Sequence, residues 1–445
     1  MVNDLTKGKT SRVIFNFSIP LFISVVFQQM YNIADSVIAG RFAGEAALAA
    51  VGASYPITNI FNAIAVGCNI GCGVVISQFF GAGKYKKVKT AVSTSIITSI
   101  IISAVLSVSG ILLTPTLMKL INTPDDIFSD SALYLEIYIG GFTFLFLYNI
   151  ANGVFASLGN SKTPLYFLIF SSISNVVLDY IFVAHLNMGV SGVAWATFIA
   201  QGVAGVLAIF ALLYHLKALQ TDGKAKVFSF DMLKRISRIS IPSVLQQSFV
   251  SVGNVFIQGE INSYGSAVIA GYSAAIKLNT FAVNALVTFG NSVSSFTAQN
   301  VGAKRFERIK EGLKSGAVLS IITALLFTFV YVTFSETLIG VFMEGDKSTL
   351  ALETGRQFLI IVEPFLCAIA FKVLCDGVLR GTGNMNYFMI ATFADLVLRV
   401  ILAFIFSHFF GAIGIWMSWP IGWLLAVVLS FLFYKKVIKG LGTRN

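Results

Sequence analysis

Twelve stretches of this chain are each apolar and long enough to cross a lipid bilayer, and this pattern constrains the fold more than any other feature. A hydrocarbon core about 30 Å thick needs about 20 residues per helix. The stretches fall near 13–38, 48–79, 90–114, 130–157, 163–184, 190–215, 236–260, 268–300, 312–335, 353–379, 386–408 and 412–434, numbered here as helices 1 to 12. Backbone polar groups inside a bilayer must be satisfied internally, so the expected fold class is an all-α integral membrane protein. With 56% hydrophobic and 11% charged residues spread from end to end, the 445 residues read as one lipid-embedded unit and not as several soluble domains.

The net charge of +11 comes from short basic clusters between apolar runs, which excludes an extended nucleic-acid surface. If the N-terminus is cytoplasmic, 24 of the 31 lysines and arginines lie on the inner side, and Arg41, Lys119, Lys347 and Arg356 lie outside. The remaining three, Lys277, Lys372 and Arg399, sit at membrane depth. Both termini, including Arg444, are therefore expected in the cytoplasm of a bacterial plasma membrane. Lys7, Lys9 and Arg12 ahead of an apolar run imitate a signal peptide, but the run continues to about Ala39 and reads as a first spanning helix. Cys68, Cys72, Cys367 and Cys375 all lie inside apolar runs and read as packing residues.

The chain also repeats itself. Gln78-Phe79-Phe80-Gly81-Ala82 after helix 2 returns as Gln299-Asn300-Val301-Gly302-Ala303 after helix 8, an offset of 221 residues. Ile19-Pro20 returns as Ile241-Pro242, Gly159-Asn160 as Gly383-Asn384, and Gly189 to Gly192 as Gly411 to Gly414. Six helices per repeat is an even number, so both halves enter the membrane in the same sense, related by a pseudo-two-fold axis along the membrane normal. The expected organisation is an N-terminal lobe over 1–216, a basic cytoplasmic linker over 217–235 and a C-terminal lobe over 236–445. Two such lobes with a cleft between them suit alternating access. The glycines of the Gln-x-x-Gly-Ala turns suit tight reversals.

Ionisable residues at membrane depth are costly and need partners or functions. The C-terminal lobe holds Lys277, Lys372 and Arg399 beside Glu363, Asp376 and Asp395. Lys372 and Asp376 are four residues apart, as are Asp395 and Arg399, so each pair shares a helical face, and Lys277 and Glu363 lie at one depth. Structural pairing is expected there. The N-terminal lobe holds Asp35, Glu136 and Asp179 with no basic residue at membrane depth. A buried carboxyl without a counter-ion takes a proton or binds a cation. Asp35, Asp179 and Thr197 all belong to the outer half, and Asn175, four residues before Asp179, faces the same way. Together they suit either a sodium site or a proton relay.

The chain resembles the multidrug and toxic compound extrusion (MATE) transporters. The resemblance rests on Tyr31-Asn32-Ile33-Ala34-Asp35, Gly40-Arg41-Phe42, Ala47 to Gly52, the two Gln-x-x-Gly-Ala turns, Asn122-Thr123-Pro124, Leu379-Arg380-Gly381 and the repeated Gly-x-x-Gly starts of helices 6 and 12. It implies a cation-coupled antiporter, driven by protons or sodium, with Asp35, Asn175, Asp179 and Thr197 as the coupling site. Family members coupled through the C-terminal lobe carry an acidic residue near the middle of helix 7, where this chain has Gln246, Gln247 and Val250.

For the cargo, Gln28, Gln29, Met30, Tyr31 and Asn32 on helix 1 and Gln246, Gln247 and Asn254 on helix 7 are candidate cleft residues, and aromatic side chains would favour cationic or neutral amphipathic compounds. A flippase for a lipid-linked pyrophosphate would need a cationic cleft, whereas the unpaired charges here are acidic. His185, His215 and His408 sit at helix ends without a second ligand nearby, so a membrane-embedded metalloenzyme is disfavoured, and no nucleotide-binding glycine motif occurs. The expectation is a monomeric transporter without a cofactor, not an enzyme, binding drug-like molecules and lipid but no nucleic acid.

Overall fold

The computed structural model describes residues 3–342 and 349–442, so Lys347 and Arg444 lie outside it. Helix 1 spans Thr10–Ile38, helix 2 Glu45–Gly81, helix 3 Tyr85–Leu120, helix 5 Lys162–Asp179 and helix 6 Gly189–Lys217. Helix 8 spans Ser266–Gly302, helix 9 Glu307–Thr333, helix 11 Met385–Phe410 and helix 12 Ala412–Gly442. Helix 4 is a pair, Asp125–Gly140 and Phe142–Ser157, bent by 47°. Helix 10 is broken by one 3-10 turn, Glu363–Phe365, between Thr349–Val362 and Leu366–Gly381.

Among the described residues, ten helices are long and apolar enough to cross a membrane, and the bent pair makes an eleventh. The twelfth, helix 7 at Phe230–Asn262, falls short because Gln246, Gln247, Asn254, Gln258 and Glu260 interrupt its apolar run. The protein is an all-α membrane protein of twelve helices. Most helices outrun their apolar cores by a few residues, because a helix continues into interfacial water once hydrogen bonding has begun.

Contacts divide the chain into two compact units. One contains Ile23–Val244, and the other contains Leu5–Phe22 with the described residues from Leu245 onward. Helix 1 is therefore shared, its first half packing with the later unit. Leu5 N–H donates to Gln299 Oε1 at 2.9 Å and Arg308 Nη1 donates to the Gly8 carbonyl at 2.9 Å. In the earlier unit, Gln78 Oε1 accepts from Arg235 at 3.0 Å. Gln299 thus anchors the segment leading into helix 1, and Gln78 holds the second turn of helix 7.

The duplication is legible in the backbone. Left-handed φ angles recur at Gly44 and Gly265 (91° and 89°), Gly83 and Lys304 (68° and 58°), Gly159 and Gly383 (72° and 81°), and Gly189 and Gly411 (57° and 62°). This shifts the expected role of Gly81 and Gly302, which end their helices; the reversal comes two residues later, and in the second copy a lysine makes it. In the later unit helices 8 and 10 touch at Gly290 and Gly377, where a Cβ on either would collide with backbone of the other helix. The core of that unit centres on Trp416, wholly buried, stacked on Tyr272 at 5.2 Å and edge-on to Phe358 at 5.3 Å. Trp419 and Trp423 belong to the same core.

Candidate functional site

Four helices of the earlier unit bring polar groups to one buried locus. Asp35 comes from the last turn of helix 1, Asn175 and Asp179 from the last turns of helix 5, Thr197 from helix 6 and Tyr134 from helix 4. Asp179 is completely buried and Asn175 is 2% exposed. With its amide oriented to satisfy both ends, Asn175 accepts from Thr197 N–H at 3.1 Å and donates to Asp179 Oδ2 at 2.9 Å and to the Tyr31 hydroxyl at 3.2 Å. The Tyr31 hydroxyl also lies near the Thr197 side chain.

Asp35 and Asp179 lie near each other. The Oδ1 atom of each is buried and receives no hydrogen bond from another protein group. No lysine, arginine or histidine forms an ion pair with either, among the described residues. Two ionised carboxylates at that range repel strongly in a medium of low dielectric, so the pair needs a shared proton or a bound cation.

Both carboxyls precede a stretch of π-helix: Ala39–Ala43 begins four residues after Asp35, and Tyr180–His185 begins directly after Asp179. The duplication explains these stretches. From Pro20 to Gly44 is 24 residues, against 23 from Pro242 to Gly265; from Asn160 to Gly189 is 29, against 27 from Asn384 to Gly411. A residue inserted into an α-helix is accommodated as a π-turn. The first copy therefore carries one extra residue beside Asp35 and two beside Asp179. In the second copy Ile257 stands at the place of Asp35, Arg399 at that of Asn175 and Ala403 at that of Asp179, counted along the same offsets.

Sequence reasoning missed Tyr134, whose ring is buried and close to both carboxyls. It placed Tyr31 in the cargo cleft, whereas the hydroxyl joins the carboxyl network. Glu136 is not brought in: it lies two residues from both Tyr134 and Tyr138, about 200° around helix 4, and those rings stack at 6.4 Å. Of the candidate cleft residues, Gln28, Met30, Asn32 and Asn254 are exposed, Gln29 and Gln247 half-buried and Gln246 buried. Asn32 donates to Gln29 at 3.3 Å.

In the later unit, Lys372 pairs with Asp376 at 2.9 Å, and Ser430 donates to the other carboxylate oxygen at 2.7 Å. Arg399 approaches Asp395 at 3.9 Å and lies over the Trp419 ring at 4.5 Å. The anticipated Lys277–Glu363 pair does not form. Lys277 lies over the Phe342 ring at 5.8 Å, and Glu363 accepts from Asn279 at 3.0 Å. Lys277 and Asn279 differ by about 200° of helical rotation, so equal depth did not give the two charges a common face.

With this arrangement established, comparison with known proteins is informative. The MatE family model matches residues 20–181 and 242–405, one match in each half. The chain belongs to the MatE family. It is 26% identical over 439 residues to the "Probable multidrug resistance protein YpnP" of Bacillus subtilis, covering 97% of this chain and 96% of that one. It is 22% identical over 446 residues to the "FAD transporter" of Shewanella oneidensis, covering 97% and 96%. Among solved structures, an outward-facing multidrug resistance MATE family transporter of the MOP superfamily superposes with a TM-score of 0.92 at 23% identity, covering 99% of this chain and 98% of that one. The chain is a multi-pass membrane transporter, and its family agrees with the resemblance carried by its motifs.

Proposed function

We propose that this chain is a proton-coupled antiporter that exports cationic or neutral amphipathic organic compounds by alternating access, with Asp35 and Asp179 as the coupling pair. The observation that carries the reading is two neighbouring carboxyls, each with a buried Oδ1 that has no hydrogen-bond partner, and neither in an ion pair with a basic residue among the described residues. Sodium fits less well. A sodium ion needs converging oxygens, whereas Asn175 directs its N–H groups at Asp179 and Tyr31 and its oxygen toward Thr197 N–H. The network suits a proton.

Loading the pair with a proton removes its negative charge, and release restores it. A ligand shifts a conformational balance only through different affinities for the two states. Protonation from the outer side would thus favour one packing of helices 1, 5 and 6, and deprotonation toward the cytoplasm the other. Both termini and the 217–235 linker lie on the cytoplasmic side in this reading, the chain works in the plasma membrane without a cofactor, and the protein is a transporter and not an enzyme. Relatives bear names for different cargo, so the cargo rests on the acidic character of the site, which disfavours a pyrophosphate-bearing lipid.

Asp35→Asn and Asp179→Asn test this. Each should keep normal expression and measurable dye binding but lose efflux of a fluorescent cationic dye driven by an imposed proton gradient. A variant that pumps at the wild-type rate with unchanged ion dependence removes that aspartate from the mechanism.

A further inference from the structure

The break in helix 10 contains a second buried carboxyl that the Asp35–Asp179 pair does not involve. The duplicated frame shows how unusual its placement is. In the earlier unit, Ser107 on helix 3 donates to the Ile139 carbonyl at 2.8 Å, just before the bend of helix 4. In the later unit, Thr328 on helix 9 donates to the Glu363 carbonyl at 2.8 Å, at the 3-10 turn of helix 10. Ser107 and Thr328 are 221 residues apart, and Ile139 and Glu363 are 224 apart, both within the range of the repeat. Both copies therefore support the break with the same hydroxyl-to-carbonyl bond. Only the side chain differs: a fully buried isoleucine in one copy is a fully buried glutamate in the other.

Glu363 has 0% exposure and one side-chain hydrogen bond, from Asn279, which is itself 2% exposed. Its Oε2 atom has no partner. Helices 8 and 9 and the flanking turns of helix 10 supply the charged and titratable groups around it. Lys277 on helix 8 lies over Phe342, Tyr331 on helix 9 donates to the Leu278 carbonyl at 3.0 Å, and Arg356 on helix 10 is bound to Glu336 and Glu353. No basic group forms an ion pair with Glu363 among the described residues. An ionised carboxylate with one neutral donor and no cation is far too costly in an apolar interior. A metal cation would need several oxygens, yet Asn279 offers its N–H and Thr328 has spent its hydroxyl on the backbone.

We infer that Glu363 is a second proton-binding site, occupied in this conformation and housed at the break of helix 10 in the later unit. The proton resides on the carboxyl, taken from water, and leaves to water when the break opens enough to hydrate the side chain. The site stands independently of the role proposed for Asp35 and Asp179.

Infrared difference spectroscopy on the purified full-length protein tests this, because a protonated carboxyl has a C=O stretch distinct from that of a carboxylate. At neutral pH the wild type should show a protonated-carboxyl band that is absent in Glu363→Gln, unchanged by sodium, and retained in Lys277→Met. Glutamine reproduces the shape of the protonated acid and should accept the same Asn279 bond. If it nevertheless fails to fold, Glu363→Asp should shift the band. A wild-type spectrum in which Glu363 contributes only a carboxylate signal overturns the inference, as does a band that sodium abolishes. The aspartate variants of the earlier unit should leave this band in place, so failure of the coupling proposal and failure of this one are read separately.

Discussion

The two units are built on one repeated backbone, but their buried charges are handled in opposite ways. The earlier unit leaves Asp35 and Asp179 close together, without an ion pair to a basic residue among the described residues. The later unit matches Asp376 with Lys372 and sets Arg399 beside Asp395. At the positions corresponding to Asp35 and Asp179 it has Ile257 and Ala403, both fully buried. The π-helical stretches follow the same division: Ala39–Ala43 and Tyr180–His185 flank the carboxyls, and the later unit has none among its described residues. Duplication supplies a frame, and a few inserted residues with a few changed side chains leave one copy with two neighbouring carboxyls that have no cation and give the other fixed ion pairs, with Glu363 the carboxyl left to titrate there.

The severest test removes the insertion itself. Deleting Ala184 and His185 brings the spacing from Asn160 to Gly189 to that from Asn384 to Gly411, and should turn the π-stretch back into regular α-helix. That changes the phase between Asp179 and helix 6, so Thr197 no longer meets Asn175. Gradient-driven dye efflux should fall to the passive leak, while detergent-solubilised protein still elutes as a single folded species. Wild-type efflux from this deletion would break the link between π-helix and site.

A middle-sized effect is expected in the later unit. Arg399→Met leaves Asp395 buried beside Gly422 without its cation and strips the cation from the Trp419 face. Removing one partner of a buried pair costs about 3–5 kcal/mol. Expression and melting temperature should fall, and Asp395→Asn in the same chain should restore part of both. Normal stability in Arg399→Met, with transport lost, would mean that the later unit also uses its charges for coupling.

Much of this contrast was legible in the sequence. Apolar run length gave the spanning helices, and the constant offset gave the duplication. The uneven distribution of basic residues separated the two carboxyl sets. Helical spacing put Asn175 and Asp179 on one face, and comparable depth put Asp35 and Thr197 beside them. What the sequence withheld was rotation about the helix axis. Depth alone suggested Lys277 for Glu363, but the face of helix 8 that meets Glu363 carries Asn279. Glu136 had a suitable depth on the wrong side of helix 4. The drop in repeat offset across helices 1 and 5 was a countable signal of the π-stretches, although an insertion could equally have lengthened a loop. Helix 7 reads as an apolar run over 236–260, and its polar residues bring it below the mean hydropathy of the other spans; its correspondence to helix 1 supports the reading independently.

The mildest test concerns the two turns that follow helices 2 and 8. Gly83 and Lys304 occupy corresponding positions with φ of 68° and 58°. A left-handed conformation costs an L-residue about 1–2 kcal/mol, and glycine avoids that cost while losing more backbone entropy on folding. Gly83→Ala should therefore destabilise the earlier unit by about 1 kcal/mol, because the strain exceeds the entropic gain of about 0.4–1 kcal/mol. Lys304→Gly should act in the other direction and stabilise the later unit by up to about 1 kcal/mol, the same two terms with the sign reversed. Both residues lie in turns away from the carboxyl network, so neither change should alter the ion dependence of efflux. Thermal melting of the two variants side by side measures the difference. If Lys304→Gly instead lowers the melting temperature, the lysine side chain contributes more to its turn than the backbone strain removes, and the two turns are equivalent in shape but not in what holds them.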